Sequence, residues 1–175
     1  MPNNKQLFVL RHAKSSWDDP GLDDHERPLA PRGRRAVRVL AEHLRANGIQ
    51  PALILCSSAR RTRETLEGIG LHGQTLVEDE LYAASAGQLL ERLHAIGDGV
   101  GSAMVVGHNP AMQVLVLRLA RRGTSKRGES QLSEVQRKFP TGAIATLTFE
   151  GDWSALHPGG ARLESFVRPK QLAAR

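Results

Sequence analysis

Residues 7–15 read Leu-Phe-Val-Leu-Arg-His-Ala-Lys-Ser, four apolar residues followed at once by an arginine and a histidine. A short apolar run bounded by polar residues is typical of a central parallel strand whose two faces are both covered by helices. Ligands bind at the carboxyl ends of the strands in such sheets, so Arg11 and His12 are expected at a functional edge. Taken alone, the stretch also fits a solvated loop arginine and a structural histidine, because short motifs give many false positives.

Strand and helix patterns alternate along the rest of the chain. Further strands are predicted over residues 52–56, 74–78, 103–107, 142–149 and 162–167. Helices are predicted from Pro31 to the Asn47-Gly48 pair, after Ser57 and Ser58, after Ser85, over residues 110–122 and over residues 131–138. This alternation predicts a three-layer α/β/α sandwich with a mostly parallel sheet, whose antiparallel edge is formed by the two late strands. One domain is expected over residues 1–175, with a frayed tail over residues 169–175.

Two of the predicted helices begin directly after a strand. Ser57 and Ser58 precede a helical run and are typical N-cap residues. Asn109 and Pro110 fit the cap and the first residue of the helix over residues 110–122. That helix is apolar on nearly all sides, so it is expected in the interior of its layer.

Two polar stretches are predicted to be loops. Residues 13–30 hold four aspartates and Trp17, and long ordered loops in compact domains are often functional. We expect this loop to shape the entrance to a site. By composition, residues 123–130 are predicted to be a flexible surface loop.

The chain is basic, with a formal net charge of +6, a pI of about 10.2 and arginine clusters within residues 32–38 and 118–127. Aromatic residues make up only 4% of the chain, which leaves few platforms on which nucleic-acid bases could stack. No zinc-knuckle spacing or RNA-binding signature is present. We therefore expect attraction to anionic substrates and no nucleic-acid partner.

The single cysteine, Cys56, lies at the end of an apolar run and is expected to be a small buried hydrophobic residue in a reducing compartment. The amino-terminal residues carry no apolar signal core, so export is not expected. No apolar run approaches the roughly 20 residues that a membrane span needs. The expected location is cytoplasmic, with no membrane partner.

Three predicted strand ends carry candidate functional residues: Arg11 and His12, the segment 57–61, and His108. If they meet at one edge of the sheet, two arginines, two histidines and two helix N-termini surround a site for a tetrahedral dianion. A neutral imidazole there can attack phosphorus, and neighbouring positive charges favour the neutral form. Each part alone has an ordinary structural explanation, but three matching strand ends favour a phosphate site.

These residues resemble a known family motif. The motif comprises Arg11-His12 after the first strand, Ser57, Arg61 and Thr65 after the second, and Gly107-His108 after a later strand. It resembles the histidine phosphatase superfamily, also called phosphoglycerate mutase-like. The short chain and the sequences at residues 11–17, 27–33 and 139–142 look like the SixA-type phosphohistidine phosphatase branch. The resemblance covers nearly the whole chain and implies a phosphoglycerate mutase-like fold.

The resemblance implies a role for each matching residue. His12 would be the nucleophile that becomes phosphorylated. Arg11, Arg61 and His108 would bind the phosphoryl oxygens and stabilise charge in the transition state. Ala13 stands where the common superfamily motif has glycine, which is tolerated unless the backbone there needs a positive φ.

The proton donor is where this chain departs from the family. Larger members carry an acid on an inserted lid after the third strand, and residues 78–84 leave no room for one. Glu80 is the candidate donor, with a solvated acidic turn as the alternative explanation. Lys14 and Ser15 are candidates for further contacts with the substrate. A missing acid suits a phosphoramidate such as phosphohistidine, because its P–N bond breaks more easily than the P–O bond of an ester.

The sequence therefore predicts a metal-independent phosphatase that acts through a phosphohistidine enzyme intermediate, on a phosphorylated protein. A small phosphorylated metabolite, a phosphoserine ester and a non-catalytic phosphate-binding module remain open alternatives. No cofactor is expected, and the other histidines lack the spacing of metal ligands. The oligomeric state stays open.

Overall fold

The order of strands and helices is described by a computed structural model for residues 3–123 and 125–173. The strands are β1 (Asn4–Arg11), β2 (Leu53–Ser57), β3 (Gln74–Glu78), β4 (Ser102–Gly107), β5 (Ile144–Glu150) and β6 (Arg162–Val167). The helices are α1 (Pro31–Ala46), α2 (Arg60–Ile69), α3 (Ala86–His94), α4 (Ala111–Leu119), α5 (Lys126–Arg137) and α6 (Pro169–Ala173). Short 3₁₀ turns span Asp24–Glu26, Asp79–Leu81 and Trp153–Ala155.

The strands form one six-stranded sheet in the order β3-β2-β4-β1-β5-β6. Neighbours among the first four strands run parallel, and β5 runs antiparallel to both β1 and β6. The predicted mixed sheet with an antiparallel edge is confirmed. The register pairs Arg11 with Gly107 across β1 and β4, and Cys56 with Val106 across β2 and β4. The carboxyl ends of these three adjacent strands therefore meet at one edge.

Helices cover both faces of the sheet, as β1 shows. Leu7 and Val9 pack into the core cluster that holds α3, α4 and α5, whereas Phe8 and Leu10 pack into the cluster under α1 and α2. All four side chains are buried, which explains the continuous apolar run of this strand. Cys56 is a buried free thiol, and burial raises its pKa to about 12.

The prediction of a surface loop over residues 123–130 is wrong for most of its length, because α5 begins at Lys126. The Oγ atom of Ser125 accepts a hydrogen bond from the N–H of Gly128 at 2.9 Å, as an N-cap side chain does. Serine and glycine occur in loops and in helix starts alike, so composition alone misassigned the segment. Residue 124 lies outside the described residues.

The two helix starts beside the carboxyl edge also differ from the prediction. Ala59, rather than Ser57 or Ser58, is the N-cap of α2, and it makes no side-chain capping bond. The N-cap of α4 is Pro110 rather than Asn109, and α4 ends earlier than predicted. Oγ of Ser57 lies 2.7 Å from Nε2 of His108, and Oγ of Ser58 lies 2.9 Å from Nε2 of His25. Oδ1 of Asn109 still accepts a hydrogen bond from the N–H of Gln113 in α4, at 3.3 Å.

The end of the chain is more ordered than predicted. A frayed tail was expected over residues 169–175, but Pro169–Ala173 form α6, which lies against α1. Residues 174–175 lie outside the described residues, and the single domain over residues 1–175 stays a prediction. Within the described ranges, no helix is both long and apolar enough to cross a membrane.

Candidate active site

A cavity of about 280 Å³ opens at the carboxyl edge of the sheet, beside the start of α2. It is lined by Arg11, His12, Lys14, Ser15, Trp17, Asp24, Arg27, Arg61, His108, Asn109 and Thr141. The structure thus brings together six of the residues singled out from the sequence. They come from three strand ends because those strands are neighbours in the sheet.

Backbone hydrogen bonds hold the two histidines next to each other. The N–H of His12 donates to the carbonyl of Gly107 at 3.1 Å, which continues the pairing of β1 with β4. The ring centroids of His12 and His108 lie 5.2 Å apart. On the other side, the N–H of Gly142 donates to the carbonyl of His12 at 2.9 Å, and its φ of 78° is one that glycine adopts without strain.

The buried imidazole of His12 is held in its neutral form. Its Nδ1 lies 2.7 Å from the carbonyl oxygen of Ala13. A carbonyl can only accept, so we assign the proton to Nδ1, and Nε2 keeps its lone pair. The pKa of His12 is lowered to about 3, mainly by burial and to a smaller extent by the charges of His108, Arg61 and Arg11, while the hydrogen bond to Ala13 opposes this shift.

Ala13 fits its position without strain. Within the described residues no non-glycine residue has a positive φ, so the backbone at Ala13 does not need the glycine found in the common motif. The N–H of Ala13 donates to Oγ1 of Thr65 at 3.0 Å, and that hydroxyl donates to the carbonyl of Arg61 at 2.7 Å. Thr65 therefore ties the end of β1 to the start of α2.

His108 is oriented by a serine. Its Nε2 lies 2.7 Å from Oγ of Ser57, and the same Oγ accepts from the N–H of Ala59 at 3.3 Å. We assign the ring proton of His108 to Nδ1, so that Nε2 accepts from the hydroxyl of Ser57. That Nδ1 is buried and has no hydrogen-bond partner among the described residues. The pKa of His108 is lowered to about 4, mainly by burial and next by the charge of Arg61. The ring is therefore neutral and can donate a hydrogen bond through Nδ1.

The two arginines are fixed at their outer nitrogens. Nη1 of Arg11 donates to the carbonyl of Phe139 at 2.9 Å. Arg61 donates through Nη1 to the carbonyl of Asp24 at 2.7 Å and through Nη2 to its carboxylate at 3.0 Å. The Nε atoms of both arginines are buried without a partner in the described structure. Burial and the charge of Arg61 lower the pKa of Arg11, and a bound anion would relieve this repulsion.

Asp24 anchors Arg61, although nothing in the sequence singled it out among the four aspartates of its loop. Its carboxylate also accepts from the hydroxyl of Tyr82 and from Nε of Arg27 at 3.1 Å. The pKa of Asp24 is lowered to about 2, mainly by the hydrogen bond from Tyr82 and next by the hydrogen bond and charge of Arg61. The same hydrogen bond raises the pKa of Tyr82. The exposed ring of Trp17 lies 3.4 Å from the Arg27 guanidinium, and both residues line the cavity, so the loop forms part of its wall.

The remaining predicted site residues are not all brought together. Lys14 and Ser15 line the cavity, but Glu80 is exposed on the turn Asp79–Leu81 and is not part of the lining. The acidic residue that does line the cavity is Asp24, which faces arginines and is ionised. The lining is therefore strongly cationic and fits an anion. Among the described residues, no group of three or more potential ligand side chains could hold a metal ion.

Comparison with known families agrees with this geometry. The family model described as histidine phosphatase superfamily (branch 1) matches residues 7–95. An uncharacterised protein of Mycobacterium tuberculosis is 40% identical over 162 residues, which cover 92% of this chain and 100% of that protein.

Solved structures show the same similarity. A structure from Nakamurella multipartitia assigned to SixA superposes with a TM-score of 0.84 at 30% identity, covering 95% of this chain and 96% of that one. The protein histidine phosphatase SixA complexed with tungstate superposes with a TM-score of 0.75 at 27% identity, covering 95% of this chain and 99% of that one. These matches confirm the phosphoglycerate mutase-like fold that the resemblance implied.

Proposed function

The chain belongs to the histidine phosphatase superfamily, and from that premise we propose that it removes the phosphoryl group from phosphohistidine on a protein. One observation carries the proposal. In the described part of the chain, buried nitrogen donors of Arg11, Arg61 and His108 lack hydrogen-bond partners, and these side chains line one cavity with the neutral ring of His12. Three donors and one nucleophile match the three oxygens and the phosphorus atom of a phosphoryl group.

The first step forms a phosphoenzyme. The lone pair of Nε2 of His12 attacks phosphorus, and the bond from phosphorus to the substrate nitrogen breaks on the opposite side. The leaving nitrogen keeps the bonding electron pair and takes up a proton from water. Arg11, Arg61 and His108 stabilise the charge on the three oxygens, which supplies most of the catalysis in phosphoryl transfer.

The second step releases phosphate. A water oxygen attacks phosphorus, loses a proton to the solvent, and the bond from phosphorus to Nε2 breaks. The electron pair returns to His12, and its Nδ1–H stays bonded to the carbonyl of Ala13 throughout. Because the positive charge comes from Arg11 and Arg61, the proposed reaction uses no metal ion and no cofactor.

The acid–base properties of the cavity support a phosphoramidate substrate. Asp24 is held ionised, and Glu80 lies outside the cavity, so neither is placed to give a proton to a leaving group at neutral pH. General acid catalysis is worth about 10²–10⁴-fold, and an alkoxide leaving group depends on it more than an imidazole does. The similarity to a protein histidine phosphatase points the same way.

Hydrolysis assays test this proposal against its alternatives. Wild type should release phosphate faster from a phosphohistidine protein than from an aryl phosphate, and His12→Ala should release it from neither. Preference for the aryl phosphate would favour an ester substrate. Release from neither substrate by wild type would favour a phosphate-binding module. Glu80→Gln is the matched control and should leave both rates unchanged.

The binding partner and the cellular location of the chain are part of the same proposal. A phosphorylated protein is the proposed substrate and the cytoplasm the proposed compartment. The reduced, buried thiol of Cys56 supports a reducing compartment.

A further inference from the structure

A second, more apolar depression lies beside the phosphoryl cavity, with a volume of about 620 Å³. It shares His108 and Asn109 with the cavity, so the two are continuous. The rest of its wall comes from residues 82–87 and from one side of α4. We call this surface the apolar groove. It therefore offers room for the part of a substrate that lies beyond the phosphoryl group.

One face of α4 forms a wall of the groove. Ala111, Val114 and Arg118 are spaced three and four residues apart, so they lie on the same side of the helix. Val114 is 38% exposed, although the sequence predicted an interior helix. Across the groove, Gly87 has no side chain, and Nη1 of Arg118 lies 3.7 Å from where a Cβ would stand. The guanidinium therefore lies close to Gly87, about two helical turns along α4 from Ala111.

Apart from His108 and Arg118, the polar side chains of the groove are already engaged in hydrogen bonds. Oγ of Ser85 accepts the backbone N–H that completes the capping box of α3 at 3.1 Å, and the hydroxyl of Tyr82 donates to Asp24. Nδ2 of Asn109 donates to the carbonyl of Phe139 at 2.9 Å. A metabolite rich in hydroxyl groups would find few partners here. Apolar side chains of a polypeptide would instead bury their surface against alanine and valine.

Arg118 adds a charge requirement to this surface. It is the charged residue of the groove wall, and within the described part of the chain it has no acidic partner. A guanidinium binds carboxylates in planar, paired geometry. The helix rise from Ala111 to Arg118 is about 10 Å, a distance that an extended peptide covers in about three residues.

We propose that the apolar groove binds the polypeptide next to the phosphohistidine, and that Arg118 selects segments with a carboxylate about three residues from it. The inference rests on the proposed function, because it assumes that a phosphohistidine protein occupies the adjoining cavity. It goes further by naming the recognised sequence, an apolar stretch followed by glutamate or aspartate. Arg118 is then a specificity-determining residue and takes no part in the chemistry.

Synthetic phosphohistidine peptides test the inference. Two peptides carry apolar residues on both sides of the phosphohistidine and differ at the third residue on either side, glutamate in one and lysine in the other. Free phosphohistidine is the third substrate. For wild type at low ionic strength, we expect a KM about fivefold lower for the glutamate peptide than for the lysine peptide, with kcat alike.

Charge reversal supplies the specific readout. Arg118→Glu should reverse the preference between the two peptides and leave the KM for free phosphohistidine unchanged. Arg35→Glu is the matched control, because it makes the same charge change on α1, across the sheet from the groove, and should keep the wild-type preference.

The outcomes separate this inference from the proposed function. Equal KM values for the two peptides, or for a peptide and free phosphohistidine, would overturn the groove assignment and leave the proposed function standing. A change of KM for free phosphohistidine in Arg118→Glu would also overturn it. Hydrolysis of none of the three substrates by wild type would overturn the proposed function, and this inference with it.

Discussion

Replacing Asp24 by asparagine removes one negative charge beside the cavity while it keeps the size of the side chain. The carboxylate accepts hydrogen bonds from Arg61, Arg27 and Tyr82, and these hold its pKa at about 2 against an ordinary value of 3.8. A neutral amide cannot pair with Arg61 in the same way. The substitution should therefore weaken both the fold around the loop and the placement of the Arg61 guanidinium.

The size of the stability effect follows from the pKa. A pKa of about 2 in place of 3.8 corresponds to about 2 kcal/mol as an upper bound. The Asp24 side chain is 50% exposed, so solvent screening reduces the expected contribution to about 1 kcal/mol. Because the folded-state pKa is lowered, this stabilisation is present above the ordinary value of 3.8 and is lost as the pH falls through about 2.

Urea unfolding of wild type and Asp24→Asn checks this directly. The two should differ by about 1 kcal/mol at neutral pH, and the difference should shrink once the pH falls below the ordinary carboxyl pKa. The loss of an anchored Arg61 should also lower kcat/KM about tenfold. Asp23→Asn is the control, since Asp23 is exposed in the same loop and makes no ion pair within the described residues. If both variants behaved alike in stability and in activity, the anchoring role of Asp24 would be refuted.

Three further predictions concern the histidines and the backbone. In an NMR titration, His12 and His108 should stay neutral until the pH approaches their pKa values of about 3 and 4. Because the unfolded chain takes up these protons already near pH 6.5, both histidines lower the free energy of unfolding as the pH falls below 6.5. Titration of either ring near pH 6.5 would contradict the effect of burial. Ser57→Ala should lower kcat about tenfold through the lost bond to His108, and an unchanged kcat would exclude that orienting role. Gly33→Ala should lower the free energy of unfolding by about 2 kcal/mol, because its Cβ would lie 2.1 Å from the carbonyl oxygen of Lys14. The control in the same thermal unfolding assay is Gly97→Ala, since no described atom lies within 4 Å of its Cβ position. Equal Tm values for the two variants would refute the clash.

The carboxyl edge of the sheet was predictable because it depends on local patterns and one general rule. Each apolar strand ends in polar residues, and parallel strands bring such ends together. Arg11, His12, Arg61 and His108 accordingly line one cavity. Their chemical roles stay predictions until activity is measured.

Asp24 could not be found in this way. Its loop holds four aspartates, and no local signal separates Asp24 from the others. Its position depends on the path of the loop, which is fixed by contacts such as the bond from the N–H of Ser16 to the carbonyl of Pro28 at 2.8 Å. Ser57 was misassigned for a related reason, since a serine before a helix is a good cap unless a nearby ring takes its hydroxyl, as His108 does here.

The central claim is that Nε2 of His12 carries the phosphoryl group between substrate and water. Brief exposure of the enzyme to a phosphohistidine peptide labelled in its phosphoryl group, followed by rapid quenching in base, tests it most directly. We expect one label on His12 of wild type, stable to base, released by acid and absent from His12→Ala. Turnover by wild type with no label on His12, or full activity of His12→Ala, would contradict the account.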